Sequence, residues 1–218
     1  MNDISHVFTF WKDLTEKERA SLSDAVRTER YEKGTLIHQS ENGCKGVMAV
    51  TKGSLRVYCV SDEGREVTLY RVEAGDICVL SASCLMESIV FDVLIEAEDD
   101  TEVLVIPPHA LHKIEEQNPR ASLFVYKNAT EKFSEVLWTL QSLLFMKIDQ
   151  RLARYIRDEA KRKGSSIIQT THEELARQIG SVREVVTKTL KYLADEGAVA
   201  LGRGKIEITD EQKLRRFC

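Results

Sequence analysis

Arg183, Glu184, Thr187, Lys188 and Lys191 are spaced so that a single helix would carry them on a common outer face. Their chemistry suits a nucleic-acid duplex. A guanidinium pairs with guanine O6 and N7, a carboxylate accepts from cytosine N4, and lysine and threonine reach phosphate. Beneath them Ala176, Ile179, Val182, Val186, Leu190 and Leu193 recur at three- and four-residue steps, so two short helices can share one apolar stripe. Gly180-Ser181 interrupts the run where the chain must turn sharply, and glycine tolerates the positive φ of such a turn. Thr171 with Glu174, and Ser181 with Glu184, have the spacing of capping boxes at the head of each helix. The pattern predicts a helix-turn-helix whose second helix, entered through Ser181, lies in a major groove.

Spacing alone also fits an ordinary helical hairpin with a solvated charged face. Two further features favour the nucleic-acid reading. After Gly197, the runs Val199-Ala200-Leu201 and Ile206-Glu207-Ile208 flank Gly202-Arg203-Gly204, a glycine-rich hairpin tip from which Arg203 and Lys205 could reach phosphate. The second feature is charge. Residues 147–218 hold 16 Lys/Arg against 11 Asp/Glu, a net of +5, while residues 1–146 hold 15 against 24, a net of −9. A polyanion partner for the C-terminal part alone follows from that asymmetry.

Those residues must be held by the rest of a 218-residue chain, long enough for two modest domains. A hydrophobic content of 43% with 30% charged residues describes a globular protein. Phe8-Thr9-Phe10-Trp11 is far too short to span a bilayer, and no apolar run follows a basic start, so a cytoplasmic location is expected. Five scattered cysteines without a CxxC pair argue against a disulfide framework and a structural zinc site. Residues 1–30 read as helical, with Thr15 and Glu18 as a capping box. From Tyr31 the period changes. Turn signals at Lys33-Gly34-Thr35, Glu41-Asn42-Gly43, Lys52-Gly53-Ser54, Asp62-Glu63-Gly64-Arg65 and Glu73-Ala74-Gly75-Asp76 separate short alternating runs, and two more strands follow at 92–97 and 102–106. Seven or eight such strands make a barrel or jelly roll, closed by Pro107-Pro108.

A long helix is predicted from about Arg120 to Phe145. Tyr126, Phe133, Leu137, Leu140 and Leu144 form a seam along it, widened by Val136 and Leu143, broad enough to bury a second copy as well as the barrel. Two-fold pairing suits a duplex reader, because two recognition helices match two half-sites one turn apart. Residues 147–162 then form an amphipathic helix on Ile148, Leu152, Tyr155 and Ile156, with a cationic outer face. An enzyme built on the barrel would need clustered metal ligands. His38, His109 and His112 do not cluster, so neither a metal site nor catalysis is expected.

This order of elements resembles the cAMP receptor protein/FNR family of bacterial transcription regulators across nearly the whole chain. The most specific likenesses are Gln150-Arg151-Leu152-Ala153, the run from Glu174-Leu175-Ala176 through Gly180-Ser181 to Arg183–Leu190, and the turns Lys33-Gly34-Thr35 and Ala74-Gly75-Asp76. The resemblance implies an α+β chain in three parts. These are a cyclic-nucleotide-binding-like β-roll sensor over 1–118, a dimerisation helix over 119–146 and a winged helix-turn-helix over 147–218. It implies a homodimer on a pseudo-palindromic site, RNA polymerase as a partner, and base reading by Arg183, Glu184 and Lys188, with Thr187 on the same face. Lys188 replaces the arginine more usual there, and an ammonium lacks the planar fork for a bidentate contact.

For the effector, the likeness implies departures. Where cyclic-nucleotide binders carry Gly-Glu and Arg-Ser pairs, this chain has Val79-Leu80 and Phe91-Asp92. A cyclic phosphate beside Asp92, with no arginine, would be a buried unpaired charge costing several kcal/mol, so an effector other than cAMP is expected. No cysteine precedes Cys44, which removes the ligands an iron–sulfur cluster would need near the N-terminus. Cys78, Val79, Leu80, Ser81, Cys84 and Leu85, with Phe91 and Asp92, would line the pocket. They could be a packed segment or a site for a small apolar or aromatic metabolite. A redox- or haem-responsive switch on Cys78 and Cys84 is an alternative, though no histidine lies between His38 and His109 to pair with them in holding haem. A regulatory module with this fold that binds no DNA is the remaining alternative.

Overall fold

A computed structural model describes residues 7–38, 45–79 and 93–218. Two four-stranded antiparallel sheets build the N-terminal roll. One runs in the order β1 (Arg27–Tyr31), β8 (Thr101–Ile106), β3 (Val47–Lys52), β6 (Ile77–Cys78). The other runs β2 (Leu36–His38), β7 (Leu94–Ala97), β4 (Ser54–Val60), β5 (Glu66–Glu73). Side chains alternate across each strand, so Met48 and Val50 of β3 and Val103 and Val105 of β8 meet Leu55, Val57 and Ile95 inside the roll. On the other face, Val47, Ala49, Leu104 and Ile106 join a second core with Phe8, Phe10 and Leu14 of the N-terminal segment and Leu22 of α1 (Glu16–Ala25). α2 (Pro108–Gln117) adds Leu111 and Ile114 to this core, and the head of α3 (Pro119–Phe145) adds Ala121, Phe124 and Val125.

Thr15 caps α1 in a true box: its Oγ1 accepts from Glu18 N at 3.3 Å, and Glu18 Oε2 accepts from Thr15 N at 2.6 Å. The helical reading of residues 1–30 fails at its end, where Arg27–Tyr31 form an edge strand paired with β8. Its exposed polar residues carry no alternation, and pairing with a distant strand decides its conformation. Pro107-Pro108 does end the roll, and Pro108 also occupies the first turn of α2, where its missing N–H costs nothing.

The chain divides into two compact units, Met1–Cys59 with Leu69–Val136, and Val60–Thr68 with Leu137–Cys218. The second contains α4 (Ile148–Lys163), β9 (Ile167–Gln169), α5 (His172–Ile179), α6 (Arg183–Asp195), β10 (Val199–Gly202), β11 (Lys205–Ile208) and α7 (Glu211–Arg215). Its core gathers Leu152, Ala153 and Ile156 of α4, Leu175, Ala176 and Ile179 of α5, and Val186, Leu190 and Leu193 of α6. The expected hairpin β10–β11 gains a third strand, β9, in the order β10-β11-β9.

Candidate nucleic-acid interface and sensor pocket

α5 starts at a capping box in which Thr171 Oγ1 accepts from Glu174 N at 3.1 Å and Glu174 Oε2 accepts from Thr171 N at 2.7 Å. It ends at Gly180, with φ +64. Ser181 N–H then reaches back to Ala176 O at 2.9 Å, the long bond of a Schellman turn. That use of Ser181 corrects two expectations. Ser181 N–H closes the first helix, and the second begins at Arg183 with Val182 at its N-cap, so Ser181 stands one residue too early to cap it and no side chain does. Val182, expected in the shared stripe, is instead 43% exposed. From α4, Arg151 Nη1 donates to Ile179 O at 2.9 Å and braces the turn, while burial lowers the guanidinium's affinity for its proton. Within the same unit, Thr68 of β5 donates to Gln178 Oε1 at 2.8 Å, and a Cβ on Gly180 would lie 2.9 Å from Val67 Cγ2.

Arg183, Glu184, Lys188 and Lys191 on α6, with Arg203 and Lys205 at the wing, are all exposed, and Ser181 and Thr187 are partly so. None of these five cations enters an ion pair among the described residues. Elsewhere in the unit several basic side chains are paired: Arg162 and Lys163 meet the buried Glu159 at 2.6 and 3.0 Å, and Arg215 meets Glu211 at 2.6 Å. The five cations of α6 and the wing are thus left to solvent, beside the exposed carboxylates Glu184 and Asp195 on the same helix. Arg203 sits beside Gly204, whose φ of +69 makes the tight tip.

One participant escapes the sequence pattern. His172, the first residue of α5, places Nδ1 2.8 Å from Thr187 Oγ1, and the same hydroxyl donates to Arg183 O at 2.8 Å. The contact joins α5 to α6 through residues fifteen apart in sequence. The only sequence signal was a titratable side chain directly after a helix cap.

Of the expected sensor residues, Cys78 and Val79 are wholly buried. Leu80, Ser81, Cys84, Leu85, Phe91 and Asp92 lie outside the described residues. Next to Cys78 is Tyr70, also buried, whose hydroxyl meets no oxygen or nitrogen partner among the described residues and lies against the Cys78 thiol. Burial, then the neighbouring Cys78 and Glu135, hold this phenol well above the usual tyrosine range. Lys132 Nζ stands 5.1 Å over its ring and bonds Glu135 Oε1 at 2.8 Å. Sequence reading missed Tyr70, Lys132 and Glu135, since nothing local distinguishes them from strand and helix surface. Among the described residues, no group of three or more His, Cys, Asp or Glu side chains could hold a metal, and no helix is long and apolar enough to cross a membrane. Tyr126, Phe133, Leu137, Leu140 and Leu144 of α3 are all exposed, whereas Val136 is drawn partly into the roll's core.

Residues 150–217 match the Crp-like helix-turn-helix domain and residues 28–118 the cyclic nucleotide-binding domain. The crystal structure of a CRP/FNR-family transcriptional regulator from Eubacterium rectale superposes with a TM-score of 0.93 at 39% identity, covering 97% of this chain and 98% of that one. Transcriptional regulator SdrP of Thermus thermophilus is 28% identical over 77% of this chain and 81% of its own. The cAMP-activated global transcriptional regulator CRP of Haemophilus influenzae is 24% identical over 77% of this chain and 76% of its own.

Proposed function

The chain belongs to the CRP/FNR family of transcription regulators, and from that premise we propose that it acts as a homodimer reading a pseudo-palindromic duplex under control of an effector other than cAMP. The observation that carries the duplex reading is the set of exposed cations on α6 and the wing, Arg183, Lys188, Lys191, Arg203 and Lys205, none of which enters an ion pair among the described residues. Arg183 and Glu184 head the recognition helix, where side chains meet base edges, and Lys188 lies one turn on. Lys191, Arg203 and Lys205 are placed for phosphate. The exposed seam of α3 supports pairing with a second copy, and RNA polymerase is the partner through which a bound dimer would alter transcription.

Against cAMP stands the apolar replacement of the phosphate cradle. Val79 is wholly buried in the core it shares with Phe8, Phe10 and Leu22, and neither Val79-Leu80 nor Phe91-Asp92 offers a cation to a phosphate. Beside Cys78, the buried Tyr70 hydroxyl is a polar group that a ligand of the roll could bond instead.

Selection of duplexes from a random pool, repeated with Arg183→Ala, tests the base-reading assignment. The variant is expected to lose about 1–3 kcal/mol of discrimination at one guanine of each half-site while keeping salt-dependent binding. An unchanged site preference would remove Arg183 from the reading surface.

A further inference from the structure

Thr187 faces outward among Arg183, Glu184 and Lys188, yet its hydroxyl is engaged inward. A threonine hydroxyl has one proton. Here that proton goes to Arg183 O at 2.8 Å, one turn back along α6. The contact with His172 at 2.8 Å therefore needs a proton from Nδ1, and the threonine oxygen accepts it. Two helices thus hold one hydroxyl from opposite sides, which fixes its rotamer and removes its capacity to donate to a base. The γ-methyl is the part of Thr187 left for the groove. In a major groove the base-edge feature complementary to a methyl is the 5-methyl of thymine, which guanine, adenine and cytosine lack.

We propose that His172 and Thr187 act together as a thymine reader: the imidazole pins the hydroxyl, and the methyl it leaves outward selects a thymine 5-methyl in each half-site. Thr187 is then a specificity residue by its apolar half, and His172 a positioning residue that acts through it. The assignment rests on the duplex reading above and deepens it, adding one apolar contact to the charged readers Arg183, Glu184 and Lys188. It also explains an economy of the α6 surface. A free hydroxyl could satisfy several bases by rotating, whereas a fixed methyl favours one.

The test uses the full-length protein and a duplex selected from a random pool, with each thymine replaced in turn by deoxyuridine, which lacks only the methyl. Loss of one buried methyl contact predicts about a fourfold weaker affinity per half-site for the wild-type protein at a single thymine position. Thr187→Val, which keeps the methyl and drops the hydroxyl, is expected to retain that penalty. Thr187→Ser, which keeps the hydroxyl and drops the methyl, is expected to lose it. His172→Ala is expected to shrink the penalty, and His172→Gln, whose amide N–H can replace Nδ1–H, to restore it. A merely structural histidine would change overall affinity without moving this ratio. The proposal is overturned if no thymine shows a penalty that depends on residue 187, or if Thr187→Val abolishes it. Failure of the duplex reading has a different signature, an absence of any selected, salt-sensitive duplex, and would take this assignment with it.

Discussion

Gly46 adopts φ +101, and a Cβ added there would stand 2.1 Å from Ile106 O. Gly34 adopts φ +83 with nothing within 4 Å of the same added atom. Both positions penalise an L side chain through backbone conformation, at about 1–2 kcal/mol. Only Gly46 adds a collision with main chain, which cannot rotate away. Gly46→Ala should therefore cost about 3 kcal/mol or more, and Gly34→Ala no more than about 2, in urea unfolding followed by circular dichroism. Equal costs would mean that the two strands near Gly46 can separate to admit a methyl. The pair also marks how far single residues can be read. Gly34 lies in a Lys-Gly-Thr turn that any reading of the chain finds, whereas the demand on Gly46 comes from a carbonyl far along the sequence. Ser181 shows the same limit from the other side. Its spacing to Glu184 is that of a cap, but α6 begins at Arg183, which puts Val182 and not Ser181 at the cap position. For Thr187, the outward position was legible, while the partner that turns its hydroxyl inward was not.

Elements were legible wherever local chemistry punctuates them. The boxes at Thr15 and Thr171 and the left-handed glycines 164 and 180 mark helix ends within a residue or two. Strands β1 and β9 were not, because one is polar and the other has three residues; each exists through the neighbour it pairs with. The long helix is the most informative element. Its first turns bury Ala121, Phe124 and Val125 in its own unit, yet Tyr126 and Leu144 remain 66% exposed and Phe133 60%. An apolar stripe of this length is costly to leave in water, and a second copy of the same helix is the partner that a two-fold reader requires. Burying one leucine contributes roughly 2 kcal/mol, so Leu137→Asp with Leu140→Asp, counted on both chains, removes about 8 kcal/mol of pairing before any charge repulsion. Sedimentation velocity should show the wild type as a dimer and this variant as a monomer, with affinity for a full palindromic site reduced to that for a half-site. A wild-type monomer at micromolar concentration would leave the stripe without its assigned role.

Across the whole molecule, charge is divided by sequence and then refined by structure. Residues 147–218 carry a net +5 and residues 1–146 a net −9. Within the C-terminal part, Arg162 and Lys163 share Glu159, and Arg215 meets Glu211, away from α6 and the wing. The cations that reach solvent on α6 and the wing are Arg183, Lys188, Lys191, Arg203 and Lys205, with Glu184 and Asp195 as exposed carboxylates on the same helix. If Arg183 and Lys188 go to bases, three cations per protomer remain for phosphate. A dimer then displaces about six counterions, and log K should fall with log salt at a slope of about −5. Each substitution that removes a phosphate contact on both chains should flatten the slope by about 2, so Lys191→Ala and Arg203→Ala are expected at about −3 to −4 with site preference intact. Lys127→Ala, an exposed cation of α3 within 4.0 Å of Glu131, serves as the control and should leave the slope where it was. Fluorescence anisotropy at several salt concentrations measures all four proteins. A slope near zero would mean that binding does not run through phosphate. A slope that Lys127→Ala flattens as much as Lys191→Ala would mean that the duplex lies against a different face of the molecule.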